Sequence, residues 1–187
     1  EATRWSFVTL LKKIAHTCKV ALKPLLGTII QGKRNTHTFG SDAGTEFING
    51  DVDKLLKDLQ INRAAACSDD QSQNGLAERT IGVLFEMVRT LMADSELPLN
   101  FWGECLMTCN YLRNRLPTSG NQYGESPYKL RYGCAPNLKH LRPFGIRCTV
   151  LKHKRNRGGS KARARGLKGY LVGYGEPYGR KGYRVYI

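Results

Sequence analysis

Long apolar runs are missing from this chain of 187 residues. No stretch comes near the roughly 18 consecutive apolar positions that a membrane-crossing helix needs, so no span is expected. The opening residues, Glu1 to Thr9, lack a charged-then-apolar signal pattern, so secretion is not expected either. Cysteines are few, and Cys18, Cys67, Cys105, Cys109, Cys134 and Cys148 show no paired spacing. Reduced thiols are therefore expected rather than a disulfide framework. Cys105 and Cys109 would share one helix face, but no His or Cys stands at zinc spacing from them, and core packing is the expectation. There is no internal repeat. With 41% apolar and 24% charged residues, the chain reads as globular rather than disordered. Its length suits one medium domain with an appendage.

Acids are scarce as well: 15 against 30 Lys and Arg, a formal net charge of +15. The imbalance is local. Residues 139–187 hold 14 Lys and Arg against one acid, Glu176, whereas residues 1–138 hold 16 against 14. A positive field concentrated in one segment attracts polyanions, nucleic acid above all.

Hydrophobic patterning gives a coarse architecture. Trp5 to Leu11 is short, aromatic and β-branched, and predicts a strand. Lys12 to Ile30 has a helical composition that Pro24 must kink or end. Thr36 to Gly40 predicts a short strand, and Ile48 to Gln60 a helix with acids early in the segment. Ile61 to Cys67 predicts another strand, and Ser68 to Gly75 a polar loop. From Leu76 to Glu96, Ala77, Ile81, Leu84, Phe85, Val88, Leu91 and Met92 form one apolar helical stripe. A second helix should run from Pro98 to about Arg115, with a short helical turn at Ser126 to Tyr132. From Phe144, Gly and aromatic residues in short alternating runs predict small antiparallel strands, in which Tyr174, Tyr183 and Tyr186 serve packing rather than base stacking. Strand–helix alternation over the first half points to an α/β layered fold with polar residues at strand ends.

Two acids stand out by placement. Asp42 follows the short strand, and Glu78 sits in the first turn of the strongest helix. Phosphodiester chemistry with two divalent ions needs carboxylates that converge on metals roughly 4 Å apart, and a strand-end Asp and a helix-start Glu can converge that way. A first-turn Glu also serves the helix dipole, so spacing alone leaves both roles open.

The wider pattern is more specific. Asp42-x-Gly44-x-Glu46-Phe47 precedes Gln73-Asn74-Gly75-Leu76-Ala77-Glu78-Arg79, with 35 residues between the two acids. This resembles the second and third acids of the D,D(35)E integrases. Leu97 to Glu104 (LPLNFWGE), Tyr111 to Pro117 (YLRNRLP), Ser126-Pro127-Tyr128 with His140 to Gly145 (HLRPFG), and Leu171 to Tyr174 with Lys181 to Arg184 (KGYR) resemble, in order, blocks of copia-type retrotransposon integrases. The resemblance implies an RNase H-like three-layer sandwich, partial and without its first strands, over residues 1–118. It continues through a helical extension, a connector at 119–143 and a small basic β-rich segment at 144–187. It implies 3′-end processing and strand transfer, with Asp42 and Glu78 holding Mg²⁺ or Mn²⁺, two ions in the intact site. Asn74, Arg79, Lys152, Lys154, Arg155, Arg157, Lys161, Arg163, Arg165 and Lys168 would contact DNA, both element ends and target. A homo-oligomer is implied, acting in the nucleus and a cytoplasmic particle.

The family's first catalytic Asp has no counterpart here, since Glu1 is the only acid before Asp42. The family's amino-terminal zinc module is likewise absent. The chain also starts without an initiator Met, so a piece of a longer polyprotein, inert by itself, is expected. Other departures lie near the acids. Gly40 and Ala43 replace a usual Arg and Asn, Asp69 to Ser72 replace Tyr-Thr-Pro, and Thr80 and Gly82 replace basic residues. Asp69 and Asp70 would repel phosphate. A decayed copy with a retained fold fits these changes. The alternative is a non-catalytic RNase H-like nucleic-acid-binding module.

Overall fold

The computed structural model describes residues 3–13, 21–31, 38–41, 47, 50–64, 75–152, 165–175 and 182–187, with backbone only at 28–31. The chain divides into two compact units, residues 9–81 and residues 1–8 with 82–187.

In the unit of residues 9–81, helix α1 (Lys23–Gln31) precedes strand β1 (Thr38–Phe39), helix α2 (Gly50–Asp58) and strand β2 (Asn62–Arg63). Pro24 stands at the second position of α1, directly after a π-helical turn at Ala21 and Leu22, and residues 14–20 are outside the described residues. The acids Asp51 and Asp53 fall in the first turn of α2, as the dipole favours. Strands β1 and β2 pair in parallel, Thr38 with Asn62 and Phe39 with Arg63, joined through α2 in a β–α–β arrangement. Leu22, Leu26, Val52, Leu56 and Ile61 form this unit's core, with Phe39, Phe47, Leu55 and Leu59 packed around them.

Helix α3 (Gly75–Ser95) starts in this unit and continues into the other. Its apolar stripe is narrower than the sequence predicts. Leu84 and Val88 are buried, and Met87, Leu91 and Met92 pack beside them. Phe85, about 100° round the helix from Leu84, stays exposed. A 3-10 turn at Leu99–Phe101 leads into helix α4 (Trp102–Arg113), and helix α5 (Pro127–Tyr132) follows. Ser126 caps α5 by accepting from the Lys129 N–H, and Gly133 ends it at φ 74°, a left-handed conformation that costs glycine little. Strands β3 (Arg147–Leu151), β4 (Gly166–Tyr174) and β5 (Tyr183–Tyr186) form the expected antiparallel sheet in that order, with a bulge between Leu171 and Gly173. Cys105, Leu106 and Cys109 of α4 join Leu84, Val88, Phe144 and Val172 in the second core.

Residues 5–11 form no strand. Ser6 lies against α4 instead, and its backbone is held by side chains: the N–H donates to Asn114 Oδ1 at 2.9 Å and the C=O accepts from Asn114 Nδ2 at 2.8 Å and Asn110 Nδ2 at 3.2 Å. An amide side chain satisfies both backbone groups here, so no neighbouring strand is needed for them.

Candidate functional site

Parallel pairing brings the ends of β1 and β2 to the same sheet edge, where open α/β sheets bind ligands. Beyond β1 the chain passes Gly40 and Ser41 to Asp42, which lies outside the described residues. Beyond β2 it passes Ala64, whose N–H donates to Phe39 O at 2.9 Å, and continues through residues 65–74, also undescribed, to α3. Glu78 is exposed in the first turn of α3, followed by exposed Arg79. Asn74 lies outside the described residues. Arg63 braces this edge: its Nη2 donates to Asp53 Oδ1 at 2.7 Å and to Phe47 O at 2.8 Å. It thereby ties β2 to α2 and to the segment that follows Asp42. A carboxylate such as that of Glu78 is a hard oxygen donor of the kind Mg²⁺ and Mn²⁺ take. Among the described residues, no three His, Cys, Asp or Glu side chains gather at one point.

The predicted DNA contacts from Lys152 to Lys168 belong to the other unit. The Lys152 N–H donates to Arg165 O at 2.7 Å, extending the β3–β4 ladder by one pair. Arg165 and Lys168 are exposed, and Lys168 stands opposite Thr149. Lys154, Arg155, Arg157, Lys161 and Arg163 belong to residues 153–164, outside the described residues. Arg147 is a further exposed cation on β3. Arg147, Thr149 and Leu151 alternate in period two with the less exposed Cys148 and Val150.

Motif residues outside the acid pair converge on one cluster, which the sequence reading did not foresee. Tyr111 of YLRNRLP stacks on Tyr174 of LVGY, ring centroids 4.5 Å apart. Tyr111 Oη and His140 Nε2 share a hydrogen bond of 2.6 Å, and Tyr183 Oη donates to His140 O at 2.7 Å. Buried Tyr174 donates to Arg142 O at 2.8 Å and accepts from Arg142 N at 3.1 Å. Arg115 lies over the Tyr111 ring at 3.4 Å. Arg184 Nη2 pairs with Glu104 Oε1 at 2.6 Å. Tyr174 is buried in this cluster, while Tyr183 and Tyr186 remain 48% and 54% exposed. Gly145 closes HLRPFG at φ 78°, and a Cβ there would sit 2.5 Å from that of Ser95. Its N–H donates to Leu171 O at 2.8 Å, fastening the motif to β4.

Cys105 and Cys109 are fully buried free thiols in the core. A hydrogen bond with Cys105, and then burial, push the Cys109 thiol well above its ordinary value. Neither feature suits a metal ligand, which must be deprotonated.

No family model matches the chain. Over 146 residues it is 27% identical to the retrovirus-related Pol polyprotein from transposon TNT 1-94 of Nicotiana tabacum, a match covering 78% of this chain and 11% of that protein. Over 148 residues it is 30% identical to the retrovirus-related Pol polyprotein from transposon RE1 of Arabidopsis thaliana, covering 78% and 10%. The chain thus spans about a tenth of the length of the curated relatives it matches. In structure, the catalytic core domain of BIV integrase superposes with a TM-score of 0.51 at 18% identity, over 70% of this chain and 80% of that one. The homologues are Pol and Gag-Pol polyproteins of copia-type retrotransposons of plants and yeast, and the fold is the RNase H-like fold of integrase catalytic cores. Among the described residues, no helix is long and apolar enough to cross a membrane.

Proposed function

We propose that this homologue of copia-type Pol polyproteins carries part of an integrase's DNA-joining centre, with Asp42 and Glu78 as two of its metal-holding carboxylates. One observation carries the reading: β1 and β2 run parallel, so the segments bearing the two acids both leave from one sheet edge. Mg²⁺ or Mn²⁺, two ions in the complete site, would supply charge neutralisation at the scissile phosphate and activation of the attacking hydroxyl. The chain's own residues bind and orient. Glu78 holds its carboxylate at the positive end of α3, where the helix dipole favours an anion. Arg79 and Asn74, beside it in sequence, hold phosphate oxygens. Lys152, Arg165, Lys168 and the cations of residues 153–164 contact the DNA backbone without reading its sequence. The whole protein performs 3′-end processing and strand transfer on element ends and target DNA, works as a homo-oligomer because two ends must be held together, and acts in the nucleus after assembly in a cytoplasmic particle.

Titration of the chain with Mn²⁺, read by electron paramagnetic resonance, tests this. Asp42→Asn and Glu78→Gln should each weaken binding by about tenfold or more. Unchanged affinity in both variants would sink the reading. A second reading, a nucleic-acid-binding module without catalysis, is favoured by Ala43, Asp69 and Asp70 near the acids. It expects DNA binding that neither substitution nor removal of divalent metal alters.

A further inference from the structure

A second surface, outside the acid pair, carries aromatic rings and cations together. Trp5 meets Tyr132 edge to face at 5.6 Å and Phe7 at 6.1 Å, and Tyr128 at 6.3 Å. The Arg131 guanidinium lies 4.8 Å from the Trp5 ring centroid, 5.3 Å from Phe7 and 5.8 Å from Tyr132. Phe7 and Tyr132 nonetheless remain 44% and 55% exposed. Ser6, between Trp5 and Phe7, is clamped to Asn110 and Asn114, so the rings cannot withdraw by letting this segment slide.

We propose that Phe7, Trp5, Tyr132 and Arg131 form a stacking platform for the unpaired nucleotides of single-stranded DNA. The inference does not rest on the metal site. Charge favours a polyanion. No carboxylate pairs with Arg131 among the described residues, and Glu125, an acid close to α5 in sequence, is tied to Lys129. Arg113 donates to Arg4 O at 3.2 Å, which brings two further arginines to this segment. A guanidinium lying over rings keeps its N–H edges for phosphate, while Phe7 and Tyr132 keep about half of their surface open to solvent. Bases reach such faces only out of the duplex stack, so the platform selects unpaired DNA over duplex.

Fluorescence anisotropy of labelled oligo(dT) and of a blunt duplex with the full chain tests the proposal. Phe7→Leu, Tyr132→Leu and Arg131→Gln should each weaken oligo(dT) binding by roughly tenfold, with duplex binding unchanged. In the Trp102→Phe background, oligo(dT) should quench the remaining Trp5 emission, an independent reading in which the platform stays intact. Equal losses for single strand and duplex would overturn the idea in favour of plain phosphate contact. Unquenched Trp5 at saturating oligo(dT) would overturn it, as would a platform whose substitution abolishes self-association and leaves DNA binding intact.

Discussion

Tyr111 and Tyr174 stack with centroids 4.5 Å apart and ring planes at 22°, joining α4 to β4 across more than sixty residues of chain. Both belong to blocks that mark the chain as copia-like, and neither is an acid of the proposed metal site. Those blocks are therefore best explained as fasteners between the helical extension and the small sheet.

Tyr174→Phe keeps the stacked ring and deletes the hydroxyl that bonds both the N–H and the C=O of Arg142. A loss of about 1–2 kcal/mol is expected, because the two backbone groups lose their partner. Urea denaturation followed by tyrosine fluorescence measures it, and an unchanged midpoint would show that water replaces the hydroxyl freely.

Asn114 is buried and acts on Ser6 as donor and acceptor at once. Asn114→Asp retains the acceptor, removes the donor and buries a charge, so a loss of about 3 kcal/mol is expected at neutral pH. Acidification should recover part of it by protonating the new carboxyl. A variant as stable as the parent would refute the clasp.

Cys109 carries a pH dependence of definite sign. Its thiol is raised in the folded state, first by the hydrogen bond with Cys105 and then by burial. The folded form therefore holds its proton where the unfolded form begins to lose it. The stability from this group is complete below the ordinary thiol value of 9.0 and is lost as pH climbs through the higher folded value. Denaturation midpoints should fall above that pH in the parent and fall less in Cys109→Ala; parallel curves would refute the assignment.

Arg165 and Lys168 are exposed cations of the β3–β4 hairpin. If they neutralise phosphates, Arg165→Gln and Lys168→Gln should each reduce the slope of log affinity against log salt by about one, alike for unrelated DNA sequences. Weakening confined to one sequence would mean base contact instead.

The long helices were legible because an apolar period of 3.6 residues survives in any environment, as Leu84 and Val88 of α3 show. The three-stranded sheet was legible from glycine and aromatic alternation. Residues 5–11 misled because a β-branched, aromatic run states only a wish for burial. That wish was met for Trp5 by neighbouring rings and for the Ser6 backbone by Asn114. Phe85 looked like core because a helical wheel shows which face is apolar and leaves open how wide the partner is.

Sequence alone determined the charge asymmetry, the long helices and the chemistry on offer: two carboxylates at a strand end and a helix start, and cations towards one terminus. These are properties of local composition and period, and they need no partner. Only the tertiary structure decided that β1 and β2 run parallel, that Tyr111 meets Tyr174, and that Arg131 lies among three rings. Such pairings depend on which surfaces exclude water together, and a one-dimensional pattern does not specify a partner far along the chain.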